Sequence, residues 1–239
     1  MTSALKQAAE ATRATCVAAS LELDIVRYAV PVLAAVKPGA LFSCPYTRRA
    51  REEIKVDDPY VMLLGEFAEA LQRCQSELEP HGVRIEVLAW RERSALLLVH
   101  RPALLEAYLE DAQVSENLTA LGYRCEDPQA CIDELANRIH DFDTLERSRD
   151  FWHFPHEVGY FLGYPAPDVM AFCRNRGQGY AVTGEWRAYG CHRRAHVMRS
   201  IFQELQRCAQ AYWRLYLEGA QIGQLAALGS LSLECASDQ

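Results

Sequence analysis

Apolar positions recur at helical spacing in several stretches of the chain and alternate or cluster at strand spacing in others. Tyr60, Leu64, Phe67, Leu71, Cys74 and Leu78 recur every three to four residues behind Asp57-Asp58-Pro59, an acidic cap followed by proline, which predicts a helix that Pro80-His81-Gly82 ends. Val83–Trp90 and Ala95–His100 are two apolar runs separated by the polar Arg91–Ser94, and their β-branched content predicts a hairpin. Ala40–Ser43 and Glu185–Tyr189 are short strand candidates. Arg101-Pro102 stops the second hairpin strand, and helices are predicted near 102–112, 115–121 and 127–140, the last opened by Asp127-Pro128. Residues 2–30 are rich in Ala, Leu and Glu and predict one or two helices, with a short turn after Pro31, whereas the polar run Thr47 to Lys55 reads as a loop or weak helix.

From residue 151 the pattern becomes aromatic and turn-rich. A short helix from about Pro155 to Leu162 is expected to end at Gly163, and Pro167-Asp168 to open another through Cys173. Met198, Ile201, Phe202, Leu205, Cys208, Tyr212 and Tyr216 form one stripe on a long helix over 192–217, with a second, short helix closing the chain. These elements predict an α+β fold in which a small, mainly antiparallel sheet of about four strands is covered by many helices. No repeat or low-complexity linker divides the 239 residues, so residues 1–239 read as a single domain, without the strand–helix alternation of a Rossmann fold or a TIM barrel.

Composition narrows the function classes. Half of the residues are hydrophobic and the formal charge is −7. Acids outnumber bases threefold in residues 103–150, where interspersed leucines and Ile132 favour solvated helix faces over an acidic tail. A net-negative chain without a Lys/Arg stripe argues against nucleic acid as a partner, and the lack of a long apolar run argues against a membrane span. The N-terminus lacks a signal peptide's division into basic and apolar regions, which points to the cytoplasm. Nine cysteines, an odd number without a C-x-x-C pair, read as reduced thiols of a reducing compartment, with Cys74 and Cys208 on apolar helix stripes.

The string F-P-H-E-V-G-Y-F-L-G-Y-P at residues 154–165 resembles the signature of an uncharacterised family of mainly anaerobic Firmicutes and related gut bacteria, known only as a domain of unknown function. Lys37-Pro38, the segment Leu97 to Pro102, and Gly184-x-Trp186-Arg187-x-Tyr189-Gly190 resemble further landmarks in the same order, over about residues 20–217. The resemblance implies no established activity; it implies only a context beside flavodoxin and ferrous-iron functions. Two family cysteines are replaced, by the Ala29-Val30-Pro31 segment and by Tyr180, so it implies no shared cysteine chemistry.

The strongest chemical candidate is His156, at the start of a short helix and flanked by Phe154, Tyr160, Phe161 and Tyr164. A neutral imidazole beside flat apolar walls could ligate haem iron or act as acid or base, with Glu157 orienting it; equally, it could cap backbone within an aromatic core. Lys37 and Arg101 would meet at one sheet edge if their strands are antiparallel neighbours, and could clamp a carboxylate or phosphate; alternatively each pairs with an acid from 103–150. Arg187 and Tyr189 face one side of a strand and Trp186 the other. Together these residues predict a small-molecule pocket for a planar anionic cofactor or metabolite, with tetrapyrrole favoured, flavin next, and His156 as the metal ligand.

Two other readings stay open. One is a hydrolase or transferase with Cys44 as nucleophile and His156 as base; the other is a module docking a flavodoxin-like protein through a basic helix carrying Arg193, Arg194, Arg199 and Arg207. His192 and His196 have metal-ligand spacing but flank two arginines and read as surface residues.

Overall fold

A computed structural model of the chain describes residues 20–45, 59–144 and 151–237. The first helix, α1, covers residues 20–28, and α2 (Val30–Leu33) follows with Pro31 in its first turn. Next come β1 (Gly39–Pro45), α3 (Pro59–Leu78), β2 (Arg84–Trp90) and β3 (Ser94–His100). Helices α4 (Pro102–Leu109), α5 (Ala112–Ala120) and α6 (Pro128–Thr144) succeed the sheet, then α7 (Val158–Phe161) and α8 (Ala166–Arg174). A two-stranded ribbon, β4 (Val182–Thr183) and β5 (Arg187–Ala188), leads into α9 (His192–Leu217) and α10 (Ile222–Ser237).

The fold is α+β, with an antiparallel three-stranded sheet in the order β1-β3-β2. Side-chain alternation along the strands builds a core on each face. Ala40, Phe42 and Cys44 of β1, with Ala95, Leu97 and Val99 of β3, pack against α1, α2, α3 and α10. Leu96 and Leu98 of β3 face the other way, into α4 to α8. A bulge between Val87 and Ala89 adds one residue to β2, and this turns Leu88 and Ala89 to the second core while Ile85 and Val87 remain in the first. The sheet is thus buried on both faces, which is why Ser94–His100 is an almost uninterrupted apolar run. Each of the buried leucines contributes about 1.5–3 kcal/mol by leaving water.

Two differences from the sequence expectation matter. The segment near 185–189 is no fourth strand of the sheet; it belongs to the separate β4–β5 ribbon, in which Val182 pairs with Ala188 and Thr183 with Arg187. Only two pairs of residues form that ladder, so its place is held by side chains from α8 and α9. The closing helix α10 runs to 16 residues and is not short, because Ile222, Leu225 and Ala226 bury against the first core. The Thr47 to Lys55 run, Asp57-Asp58 and the first 19 residues lie outside the described residues.

Gly163 and Gly39 bring two sequence landmarks together. Gly163 ends α7 at φ +71°, a conformation that costs glycine little, and a Cβ there would stand 2.4 Å from Cδ of Pro38. A Cβ on Gly39 would stand 2.3 Å from the carbonyl oxygen of Phe161. The Lys37-Pro38-Gly39 turn therefore lies directly on the Phe161-Leu162-Gly163-Tyr164 turn.

Candidate functional site

The hollow beside this junction has a volume of about 360 Å³ and is walled by Phe151, His156, Tyr164, Asp168, Val169, Phe172 and the residues of the β4–β5 turn from Thr183 to Arg187. Three local structures shape it. The 3-10 turn Phe151–His153 and the turn after it carry Phe151 and His156; Pro165, with Pro167 in the first turn, starts α8 and sets Asp168; the turn of the ribbon supplies Glu185, Trp186 and Arg187.

Asp168 is the anchor. It is 2% exposed, and its carboxylate accepts from Nη1 and Nη2 of Arg194 at 2.6 and 2.9 Å, from Nε1 of Trp186 at 2.9 Å and from the Tyr189 backbone N–H at 2.9 Å. Arg194 also donates to the Tyr189 carbonyl. A buried carboxylate with four donors is well compensated, and here it fixes the ribbon to α8 and to the first turn of α9. Sequence reasoning passed over Asp168 except as a helix opener. Its signal was available: it is the only acid between Glu157 and Glu185.

His156 sits among four aromatic rings, with ring-centre distances of 4.7 Å to Phe151, 5.3 Å to Trp152, 5.8 Å to Phe154 and 5.1 Å to Phe172. Its ring is half-buried and bonds to the Phe151 backbone, whereas Nε2 is buried without a partner. With one nitrogen engaged by main chain and the other bare, the neutral tautomer presents an Nε2 lone pair. Burial lowers its pKa below the ordinary histidine value, outweighing the upward pull of the Phe151 bond and of Glu157.

Glu157 does not orient His156. It accepts from Tyr123 at 3.1 Å and from Arg138 at 3.3 Å, and lines a separate cavity of about 350 Å³ with Arg138, Phe142 and Phe154. Consecutive residues on a turn point apart, and the Arg138 charge draws the carboxylate away from the hollow. Tyr160 is 3% exposed and belongs to the second core, so it walls no site. Phe154 packs edge-on against Phe142 and reaches the hollow only through His156.

Lys37 and Arg101 start from adjacent backbone, since the Arg101 N–H donates to the Pro38 carbonyl at 2.9 Å, but their side chains part. Arg101, 2% exposed, donates to the carbonyls of Val32, Leu33, His81 and Ala226 and to Ser230 Oγ, so it ties α2 to α10 in the first core and forms no clamp with Lys37. Lys37 runs to the hollow's edge. Its Nζ lies 4.8 Å from the centre of the Tyr164 ring and 3.4 Å from Oε2 of Glu185.

The other expected residues divide similarly. Tyr164 stacks on Trp186 at 5.1 Å, which in turn meets the edge of Phe202. Arg187 spans the rings of Phe172 and Tyr180 and donates to the Gly177 carbonyl at 2.9 Å. Tyr189 is buried and contributes its backbone to Asp168 instead of walling the hollow. Cys44 packs in the first core, on the sheet face opposite to α7, so it does not meet His156. Its thiol donates to Asp24 at 3.5 Å. His192 and His196 are exposed on α9, and among the described residues no group of three or more His, Cys, Asp or Glu side chains could hold a metal ion. On the same helix Arg194 is committed to Asp168 and Arg207 pairs with Glu204 at 2.9 Å, which leaves Arg193 and Arg199 of the expected basic face.

The charges add up simply. Asp168 is matched by Arg194 and Glu185 by Lys37, so Arg187 gives the walls a surplus positive charge that suits an anion. Phe151, whose ring lies against His156, is 59% exposed. Among the described residues no helix is long and apolar enough to cross a membrane. No curated protein and no solved structure matches the chain. The profile of a family of proteins of unknown function, DUF3793, matches residues 25–226, and the chain belongs to that family.

Proposed function

We propose that this protein binds a small planar anion in the hollow between the Phe151–His156 turn, α8 and the β4–β5 turn. The observation that carries the reading is the buried, unpartnered Nε2 of His156 in a wall of that hollow, because a buried polar atom without a bond is costly unless a partner arrives. The Tyr164–Trp186 pair offers a flat face, and Arg187 offers the counter-charge. A guest ring takes the place of Phe151 against the imidazole and gives Nε2 a donor.

The volume of about 360 Å³ lies at the lower end of the ~300–1,000 Å³ usual for small-molecule sites, which favours a ring system of flavin size over a tetrapyrrole. A tetrapyrrole is the second reading, supported by the bare Nε2 as the axial ligand, and it requires Phe151 and its neighbours to open further. The test is a visible spectrum and native mass of protein purified without oxygen, followed by titration of tryptophan fluorescence with flavin mononucleotide and with haemin. Retained chromophore, or saturable quenching lost in His156→Phe, is expected. Equal, weak quenching by both anions and by citrate in wild type and variant would overturn the reading.

A further inference from the structure

Lysine is rare here: of 25 Lys and Arg residues only Lys6, Lys37 and Lys55 are lysines. The difference is chemical, since a guanidinium stays charged at any physiological pH, whereas a desolvated ammonium can release its proton and become a nucleophile. Lys37 is 7% exposed, held in the connection between α2 and β1 that Pro38 and Gly39 press onto the α7 turn. Its two neighbours, Tyr164 and Glu185, both line the hollow. The 3.4 Å separation from Glu185 is longer than the ~2.7–2.9 Å of a tight charge-assisted bond, so the carboxylate is near enough to take a proton without locking the ammonium in place. Burial lowers the pKa of the Lys37 amine, and the Glu185 charge and bond oppose it.

We propose that Lys37 forms an imine with an aldehyde borne by the planar anion of the hollow, with Glu185 carrying the protons. The inference rests on the binding role proposed above and names the reactive group of the guest. Glu185 takes a proton from the Lys37 ammonium, and the freed nitrogen lone pair attacks the carbonyl carbon. The C–N bond forms as the C=O π pair moves onto oxygen, and one proton passes from nitrogen to that oxygen to give the neutral carbinolamine. Glu185 then returns its proton to the hydroxyl, the C–O bond breaks, and the nitrogen lone pair closes the C=N bond. One water leaves, no oxidant or reductant is consumed, and the product is a protonated imine paired with the Glu185 carboxylate.

The test uses the full chain with pyridoxal 5′-phosphate, a planar anionic aldehyde, at pH 7, followed by borohydride and peptide mass spectrometry. Pyridoxine 5′-phosphate, which has an alcohol in place of the aldehyde, is titrated in parallel by tryptophan fluorescence. Lys37 is expected to be labelled about tenfold faster than Lys6 and Lys55, to be protected by pyridoxine 5′-phosphate, and to lose the fast label in Lys37→Arg. Labelling of Lys37 no faster than Lys6 and Lys55, while pyridoxine 5′-phosphate still binds, overturns the imine and leaves the binding role standing. Fast labelling of Lys37 that pyridoxine 5′-phosphate neither competes with nor slows supports the amine's reactivity and counts against the hollow as its binding site.

Discussion

Asp168 and Arg194 meet as a two-pronged pair, with Nη1 2.6 Å from Oδ1 and Nη2 2.9 Å from Oδ2, across the boundary between the candidate site and the long helix α9. The pair does more than join two helices. The same carboxylate holds the Trp186 indole and the Tyr189 backbone, so one side chain sets the position of the ribbon that walls the hollow. Asp168→Asn keeps the shape but leaves the Arg194 guanidinium uncompensated, and is expected to cost about 3 kcal/mol in urea unfolding. Release of Trp186 should also shift its fluorescence to the red before global unfolding. A variant as stable as the wild type, with unshifted emission, would contradict the anchoring role.

His156 separates packing from function. His156→Phe fills the same ring cage and removes the bare nitrogen, so its stability should stay within about 1 kcal/mol of the wild type while binding of planar anions is lost. Calorimetric unfolding and fluorescence titration on the same sample decide it: retained binding in the Phe variant means that the imidazole is a packing residue.

The same residue gives a signed pH dependence. Its folded pKa lies below the unfolded value of about 6.5, so as pH falls the unfolded chain takes up the proton first. The stability due to neutral His156 is complete above about pH 6.5, declines as pH falls below it, and levels off once the folded pKa is passed. The unfolding free energy of the wild type minus that of His156→Phe should therefore fall from pH 7.5 to about pH 5. A difference that stays flat over this range would show that burial does not hold the imidazole neutral.

Gly163 tests the junction beside the site. Gly163→Ala forces a Cβ into Pro38 at a positive φ, and is expected to cost about 2 kcal/mol or more in chemical denaturation while weakening ligand binding through the displaced Lys37 turn. Gly65→Ala is the control, since a Cβ there meets nothing within 4 Å and replaces a helical glycine; it should stabilise the chain by about 0.5–1 kcal/mol.

Cysteine reactivity distinguishes the thiol chemistry expected from Cys44. Cys191 caps α9, and the backbone N–H groups of Arg194 and Arg193, with the Arg194 charge, lower its pKa at a fully exposed position. Burial pushes Cys74 up to about 12 and encloses Cys44. Limited alkylation followed by peptide mapping should modify Cys191 first among the described cysteines. Faster modification of Cys44 in the folded protein would reopen the nucleophile reading.

Much of the framework was legible in local sequence chemistry. The β2–β3 hairpin, β1, helix α9 and the series α4 to α6 follow from apolar spacing, prolines at helix starts and Gly82 at φ +68° after α3, since these signals act within one turn or one strand. His156, Tyr164, Trp186 and Arg187 stand out in the sequence because aromatics and cations crowd two short segments, and the structure gathers them around one hollow. Glu157, Arg101, Tyr160 and Tyr189 were misplaced for one reason: sequence shows that a polar or aromatic residue is there, not which of two sheet faces or two sides of a turn it occupies.

Alone, the sequence determined the element types, the aromatic segment and the acidic middle, because propensity, periodicity and charge are properties of neighbouring residues. Tertiary structure decided that the 185–189 segment leaves the sheet, that Asp168 reaches Arg194 across 26 residues, and that Lys37 turns to Glu185 across 148. Those pairings link distant parts of the chain, and their free energy comes from burial and from charges meeting in low dielectric, which no local window contains.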